Sequence, residues 1–262
     1  MITNPAELFD VTGKVVLVTG GANGLGRMIS EGFVRAGADV TITSRNPDSA
    51  GDAAEAMREF GSCTAIAADL SSPDGCGELA ARLADARQQL DVRVNNAGRT
   101  WGGAFETFPD KAWASVMGVN VQTPFTLARD LFGPLKESAT AESPARIINI
   151  GSAAGITVER LSAYSYSASK AAILQLSREL AAELAPHHIT VNTVVPGYFP
   201  TQMTSHIRED KEKAEKLIGR IPLDRLGTAE DIVGACIMLS SRAGAYMTGT
   251  ALTVDGGLTG CR

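Results

Sequence analysis

The strongest constraint on what this chain can fold into is an apolar run that breaks into glycines and then into a helix. Lys14-Val15-Val16-Leu17-Val18-Thr19 reads as a short buried parallel strand. Thr19-Gly20-Gly21-Ala22-Asn23-Gly24-Leu25-Gly26 follows at once, and Leu25 to Ala36 carries helical spacing with Gly37 as its stop. Glycines let a backbone turn sharply and come close to a pyrophosphate. A helix start adds free amide donors and a partial positive charge. A plain tight turn uses the same residues, so the placement between strand and helix is what favours a phosphate cradle.

The same alternation continues along the chain. Strands are expected at 38–43, 63–67, 92–95, 145–150, 189–195 and 250–254. Helices are expected at 47–60, 73–90, 110–120, 123–136, 164–184 and 229–239. Ser72 and Pro73 form a cap and first-turn pair, and Pro186 and Pro196-Gly197 end elements. Such a pattern implies an α/β fold of Rossmann type, a doubly wound, mostly parallel sheet of about seven strands with helices on both faces. Ligands then sit beyond the carboxyl ends of the strands. No linker or solenoid repeat interrupts it, so residues 1–262 read as one domain. Glu137 to Pro144 reads as an exposed loop. Tyr198 to Pro222, charged in its middle and flanked by prolines, suits a cover over the site or a solvated surface helix.

Composition excludes several classes. With 24 basic and 29 acidic residues the chain has no basic excess for nucleic acid. No apolar run reaches the roughly 20 residues that span a bilayer, and the start lacks a signal-peptide pattern, so a cytoplasmic location is the default. Cys63, Cys76, Cys236 and Cys261 show no zinc spacing, and three histidines make a histidine metal site improbable. No metal is expected.

The chemistry-bearing residues fall at strand ends. A site for NAD usually carries an acid about 20 residues beyond the glycine turn, at the end of the second strand. Here that place reads Thr43-Ser44-Arg45-Asn46. A guanidinium at Arg45 can pair with a 2′-phosphate through two hydrogen bonds, which favours NADP(H), with NAD(H) as the alternative. Asn23 is neutral, and Arg45 also suits a solvated residue after a strand. Tyr166 and Lys170 stand at i and i+4 on one helix, about 6 Å apart at Cβ. A free phenol has a pKa near 10 and a nearby ammonium lowers it, making tyrosine a working acid or base. Tyr164 competes for the role, but the residue four after it is Ala168. Ser152, after the fifth strand, would point into the crevice or cap a turn.

Taken jointly, the glycine turn, Asp69-Leu70, Asn95-Asn96-Ala97-Gly98, Asn120, Ser152, Tyr166 with Lys170, Pro196-Gly197 and Asp255-Gly256-Gly257 resemble the short-chain dehydrogenase/reductase superfamily from Lys14 to Gly257. Within it the chain resembles the 3-oxoacyl-[acyl-carrier-protein] reductases, and among these the rhamnolipid-synthesis type, through 149–152, 200–203 and 245–249. The resemblance implies that Tyr166 exchanges the proton with the substrate oxygen and that Lys170 lowers its pKa and binds the nicotinamide ribose. It implies that Ser152 orients the carbonyl and that Asn120 holds a relay water. Gly20, Asn23, Gly24, Leu25, Gly26, Ser44, Arg45, Asn46, Asp69, Leu70, Asn96, Ala97, Gly98, Pro196, Gly197, Phe199 and Thr201 would line the cofactor site. A homotetramer is implied as well. Arg93 departs from the family, which usually has an aliphatic residue there; a buried, unpaired guanidinium is costly.

Trp101, Phe105, Ala154, Ile156, Tyr198, Phe199 and Met203 lie in segments expected to border the site, and suit either an apolar substrate pocket or core under loops. An apolar pocket would take an alkyl or cyclic ketone, or an acyl thioester. The function expected is thus an NADP(H)-dependent ketone–alcohol oxidoreductase. An NAD-linked secondary-alcohol dehydrogenase and a non-catalytic dinucleotide-binding regulator are the rivals.

Overall fold

The structure, a computed structural model, describes residues 4–201 and 210–261. Seven strands form one sheet: β1 (Val15–Thr19), β2 (Asp39–Ser44), β3 (Cys63–Ala67), β4 (Val92–Asn95), β5 (Ala145–Ile150), β6 (Ile189–Pro196) and β7 (Ala251–Val254). Their spatial order is β3-β2-β1-β4-β5-β6-β7, and every pairing is parallel. Val16 faces Val40 on one side and Val92 on the other. The winding reverses between β1 and β4, which opens a crevice at their carboxyl ends.

The helices are α1 (Pro5–Leu8), α2 (Gly24–Arg35), α3 (Pro47–Arg58), α4 (Pro73–Ala86), α5 (Lys111–Met117), α6 (Thr123–Asp130), α7 (Phe132–Ser138), α8 (Tyr164–Leu184), α9 (Lys211–Ile218) and α10 (Ala229–Ser240). Their starts are fixed by local chemistry. Ser72 accepts from Gly75 N at 3.2 Å ahead of Pro73, and Thr228 forms a reciprocal capping box with Asp231.

Strand alternation divides the core into two layers. Val16 and Val18 pack with Ile29, Phe33 and Ile232 under α2 and α10, while Leu17 packs with Leu79, Leu83 and Leu127 under α4 and α6. Each such burial contributes about 1.5–3 kcal/mol.

The doubly wound sheet expected from the sequence is present, with differences at element ends. Lys14, Ala38 and Thr250 lie outside the strands, and the 73–90 helix stops at Ala86 because Arg87 is extended and ion-paired to Asp39 at 2.5 Å. The helices expected at 110–120 and 123–136 are instead α5, a π-helical turn over Gly118–Gln122, α6 and α7, with a break at Leu131. Glu137 and Ser138 belong to α7 rather than to the loop. Part of the expected cover, 202–209, lies outside the described residues; α9 occupies its second half.

Arg93 is fully buried in β4, where Nη2 donates to Pro124 O at 3.1 Å. Among the described residues its Nε and Nη1 find no partner, and burial brings its pKa down to about 9. A second buried arginine, Arg146, was not singled out from the sequence. It donates to the carbonyls of Leu239 and Ser241, each at 3.0 Å, and to that of Pro144.

Candidate active site

A cavity of about 670 Å³ opens at the carboxyl ends of the central strands. Its floor is the glycine turn. Gly24 has φ +55°, a conformation that glycine adopts without strain, and a Cβ on Gly26 would collide with the Gly20 carbonyl and the Asn96 amide. Asn96 holds the turn in place: its Nδ2 donates to the carbonyls of Thr19 and Gly20, both at 3.1 Å. The Thr19 hydroxyl in turn accepts from Asn96 N and Ala97 N, each at 3.1 Å. The end of β1 is thereby stapled to the end of β4.

At one end of the cavity stand Ser44, Arg45, Asp69 and Leu70. Arg45 is exposed, and the Ser44 hydroxyl accepts from Asn46 N at 3.3 Å. Hydrogen bonds from Ser71 hold the Asp69 carboxyl below its ordinary range, with Arg45 and Arg99 adding smaller charge effects. Asn23, Gly20, Gly24 and Leu25 line the cavity beside the turn, and Ala97, Gly98 and Asn96 line its middle. Pro196, Gly197, Phe199 and Thr201 close the far side. Gly26 and Asn46 do not line it: Gly26 packs beneath the turn, and Asn46 caps α3 by accepting from Ser49 N at 3.1 Å.

Ser152, Tyr166 and Lys170 meet at the β5 end. α8 sets the tyrosine and lysine one turn apart, with Lys170 Nζ 5.6 Å from the Tyr166 ring centre. Nζ donates to Ile150 O at 2.7 Å, which ties the helix to the strand that carries Ser152. Burial lowers the Lys170 pKa to about 8, so the ammonium persists at neutral pH. Burial also raises the Tyr166 phenol, and a hydrogen bond with Ser152 works against that rise. Desolvation and the Ser152 bond set that direction, and a lowering by the ammonium, expected from the i, i+4 spacing, is not among its causes. The phenol is protonated at pH 7 and has a proton to give. Ser152 is also a turn cap, accepting from Ala154 N at 3.2 Å.

Asn120 sits in the π-helical turn, a feature often found at functional sites. Its Oδ1 accepts from Arg99 N at 2.8 Å, and its Nδ2 donates to Arg99 O at 2.9 Å and to Ser169 Oγ at 2.8 Å. It does not line the cavity, yet a Cβ on Gly98 would lie 3.4 Å from its Oδ1 and 3.9 Å from Lys170 Nζ. Arg99 and Thr100, which do line the cavity, were missed in the sequence; their place directly after Asn95 to Gly98 was the available signal.

Of the expected apolar residues, Phe199 is buried and lines the cavity, and Ala154 is buried. Trp101, Phe105 and Ile156 are exposed, Phe105 at 75%, and Met203 lies outside the described residues. Phe105 and Phe108 both meet Tyr164 edge to face, with ring centres 5.8 and 5.1 Å away. Tyr164 thus belongs to an aromatic rim rather than to the Lys170 pair.

Comparison with known proteins agrees with this geometry. A family model described as enoyl-(acyl carrier protein) reductase matches residues 20–259. The rhamnolipids biosynthesis 3-oxoacyl-[acyl-carrier-protein] reductase of Pseudomonas aeruginosa is 46% identical over 95% of this chain and 97% of its own. The 2-dehydro-3-deoxy-D-gluconate 5-dehydrogenase of Bacillus subtilis is 36% identical over 96% of each. A solved active-site complex of Pseudomonas aeruginosa RhlG with NADP superposes with a TM-score of 0.94 at 45% identity, covering 97% of this chain and 99% of that one. A reversing parallel sheet, a glycine cradle and a Ser152, Tyr166, Lys170 cluster, together with these matches, place the chain in the short-chain dehydrogenase/reductase family.

Proposed function

We propose that this protein is an NADP(H)-dependent oxidoreductase that interconverts a ketone, 3-oxoacyl or otherwise apolar, and a secondary alcohol. The observation that carries the reading is the half-buried, protonated Tyr166 phenol facing the cavity beside the end of β5, flanked by Ser152 and by the Lys170 ammonium. The cavity fits a dinucleotide. Its floor is a backbone cradle at Gly20 and Gly24 that closes over Gly26 with no room for a side chain beneath it, α2 begins there, and its far end offers the exposed cation Arg45. The glycine turn and the α2 start would hold the pyrophosphate, and Ser44 with Arg45 the 2′-phosphate. The cofactor supplies or accepts the hydride.

Everything else falls to the chain. Ser152 and Tyr166 orient the carbonyl oxygen by hydrogen bonds, and Tyr166 Oη gives it a proton during reduction or takes one during oxidation. Lys170 keeps a positive charge beside the phenol, which steadies the phenolate left after proton transfer, and it would hold the nicotinamide ribose. Asn120 braces Arg99 and Ser169 next to Lys170, where a relay water would be held. By this reading the segment 198–222, of which 202–209 lie outside the described residues, would serve as cover, and the rim of Trp101, Phe105 and Ile156 would meet the alkyl arm of the ketone. The RhlG complex with NADP supports the cofactor choice, and the oxoacyl reductase relative supports the substrate class. We also read the protein as a cytoplasmic homotetramer. Exposed Trp113 and Phe125 on α5 and α6, and the half-exposed edge strand β7, support self-association.

Paired titrations test the reading. Reduction of acetoacetyl-coenzyme A, ethyl acetoacetate and cyclohexanone is measured with NADPH and with NADH. At least one ketone should be reduced, with NADPH preferred by about tenfold or more. Preference for NADH would remove the role of Arg45, and no turnover of any ketone would remove the substrate class.

A further inference from the structure

Three segments, those that follow β5, β6 and α9, converge on one buried carboxylate. Glu159 lies in the connection between β5 and α8, and its side chain is 2% exposed. Its Oε2 accepts from the Tyr198 hydroxyl at 2.8 Å and from Arg220 Nη2 at 2.9 Å. A carboxylate is tolerated out of water only when it is charge-paired and hydrogen-bonded, so these bonds constrain where Glu159 can sit. Tyr198 stands between Gly197 and Phe199, which line the cavity, and Arg220 lies just beyond α9. Below them Tyr198 and Leu226 pack on a small apolar cluster of Ala153, Ile221 and Leu258. Ala153 is the neighbour of Ser152, and Ile221 the neighbour of Arg220.

The connection itself is held in an unusual backbone conformation. Arg160 and Ser162 have φ of 51° and 49°, in the left-handed region that non-glycine residues keep only where their surroundings impose it. Ser162 O accepts from Gly103 N at 3.0 Å. Tyr164 begins α8 two residues later, and Tyr166 follows within its first turn. The strained stretch therefore separates Ser152 from Tyr166, with Glu159 as its buried anchor.

We propose that Glu159 is a positioning residue of the ketone site. Its pairing with Arg220 and Tyr198 clamps the β5–α8 connection to the segment after β6, so that Ser152 and Tyr166 keep the separation a carbonyl needs. This rests on the ketoreductase reading for its consequence in catalysis, though not for the clamp itself. Loss of the clamp lets Arg160 and Ser162 relax and loosens the ketone side, while the glycine cradle and Arg45 stay as they are.

The test uses the whole chain carrying Glu159→Gln, Arg220→Met or Arg220→Lys. Backbone hydrogen exchange over 156–163 is followed in the protein alone. KM and kcat are measured with NADPH and the ketone substrates acetoacetyl-coenzyme A and ethyl acetoacetate. Glu159→Gln and Arg220→Met should speed exchange over 156–163 by about tenfold. They should raise the ketone KM and lower kcat, each by about fivefold or more, with the NADPH dissociation constant within about twofold. Arg220→Lys, which keeps the charge, should stay near the parent protein in both readouts. Unchanged exchange and unchanged KM in folded Glu159→Gln and Arg220→Met would overturn the clamp. Should Glu159→Gln fail to fold, Arg220→Met, at a residue partly open to solvent, decides alone. If the parent protein reduces neither ketone, the exchange data still decide the clamp, and the failure belongs to the ketoreductase reading.

Discussion

The nucleotide half and the ketone half of the cleft are built by different means. In the nucleotide half the work is done by backbone. The glycine turn, the start of α2 and the Asn96 staple on Thr19 and Gly20 form a cradle whose shape needs few side chains. In the ketone half the work is done by side chains brought from far apart in the sequence. Glu159 bonds to residues 39 and 61 positions away, and Ser152 and Tyr166 meet across a strained connection. A backbone cradle is a local solution and tolerates variation around it. A side-chain constellation depends on packing at several distant points, and it is where specificity for one ketone or another can change without disturbing the cofactor.

That contrast is breakable by experiment. The largest effect is expected from Gly26→Ala, because the added Cβ meets the Gly20 carbonyl and the Asn96 amide rather than open space. NADPH affinity, measured by the quenching of protein fluorescence, should fall by about 100-fold or more. Hydrogen exchange over 156–163 should stay as in the parent, since the ketone half does not lean on the cradle. Coupled loss in both halves would show that the division is wrong.

A smaller effect should appear in the pH profile. Burial brings the Lys170 pKa down to about 8 and moves the Tyr166 phenol upward. As pH rises, Lys170 therefore loses its proton first, and the ammonium is present below about 8 and gone above it. Reduction under saturating NADPH should be flat on the acid side of about 8 and fall on the alkaline side, by up to about tenfold per pH unit. Lys170→Arg, which remains charged, should remove that limb whatever rate it retains. A limb that persists in Lys170→Arg would assign it to another group.

The fold was legible because its determinants are local and periodic. Short apolar runs, glycine stops and the Ser72-Pro73 and Thr228 starts announce strands and helices without knowledge of their partners. The glycine turn and the Tyr166–Lys170 pair could be picked out for the same reason, one being contiguous and the other one helical turn apart. The π-helical turn at Gly118–Gln122 left no such mark, since its period differs by one residue from the helices around it. Glu159 was invisible because nothing near it in the chain hints at Tyr198 or Arg220. The upward direction of the Tyr166 phenol was not legible, because spacing shows the ammonium but not the desolvation around the hydroxyl. Arg93 was legible as an anomaly in β4, whereas Arg146 was not, although β5 buries it too and three carbonyls receive its donors.

The central claim is that a half-buried, protonated phenol at Tyr166 delivers the substrate proton, beside a nucleotide site that does not depend on it. Tyr166→Phe removes the hydroxyl and keeps the ring, so the cradle and the packing of α8 are preserved. NADPH binding and ketone reduction by this variant, measured side by side with the parent, test the claim most directly. The account predicts NADPH affinity within about twofold and turnover lower by about 10²–10⁴-fold. Full turnover in the folded variant would contradict it.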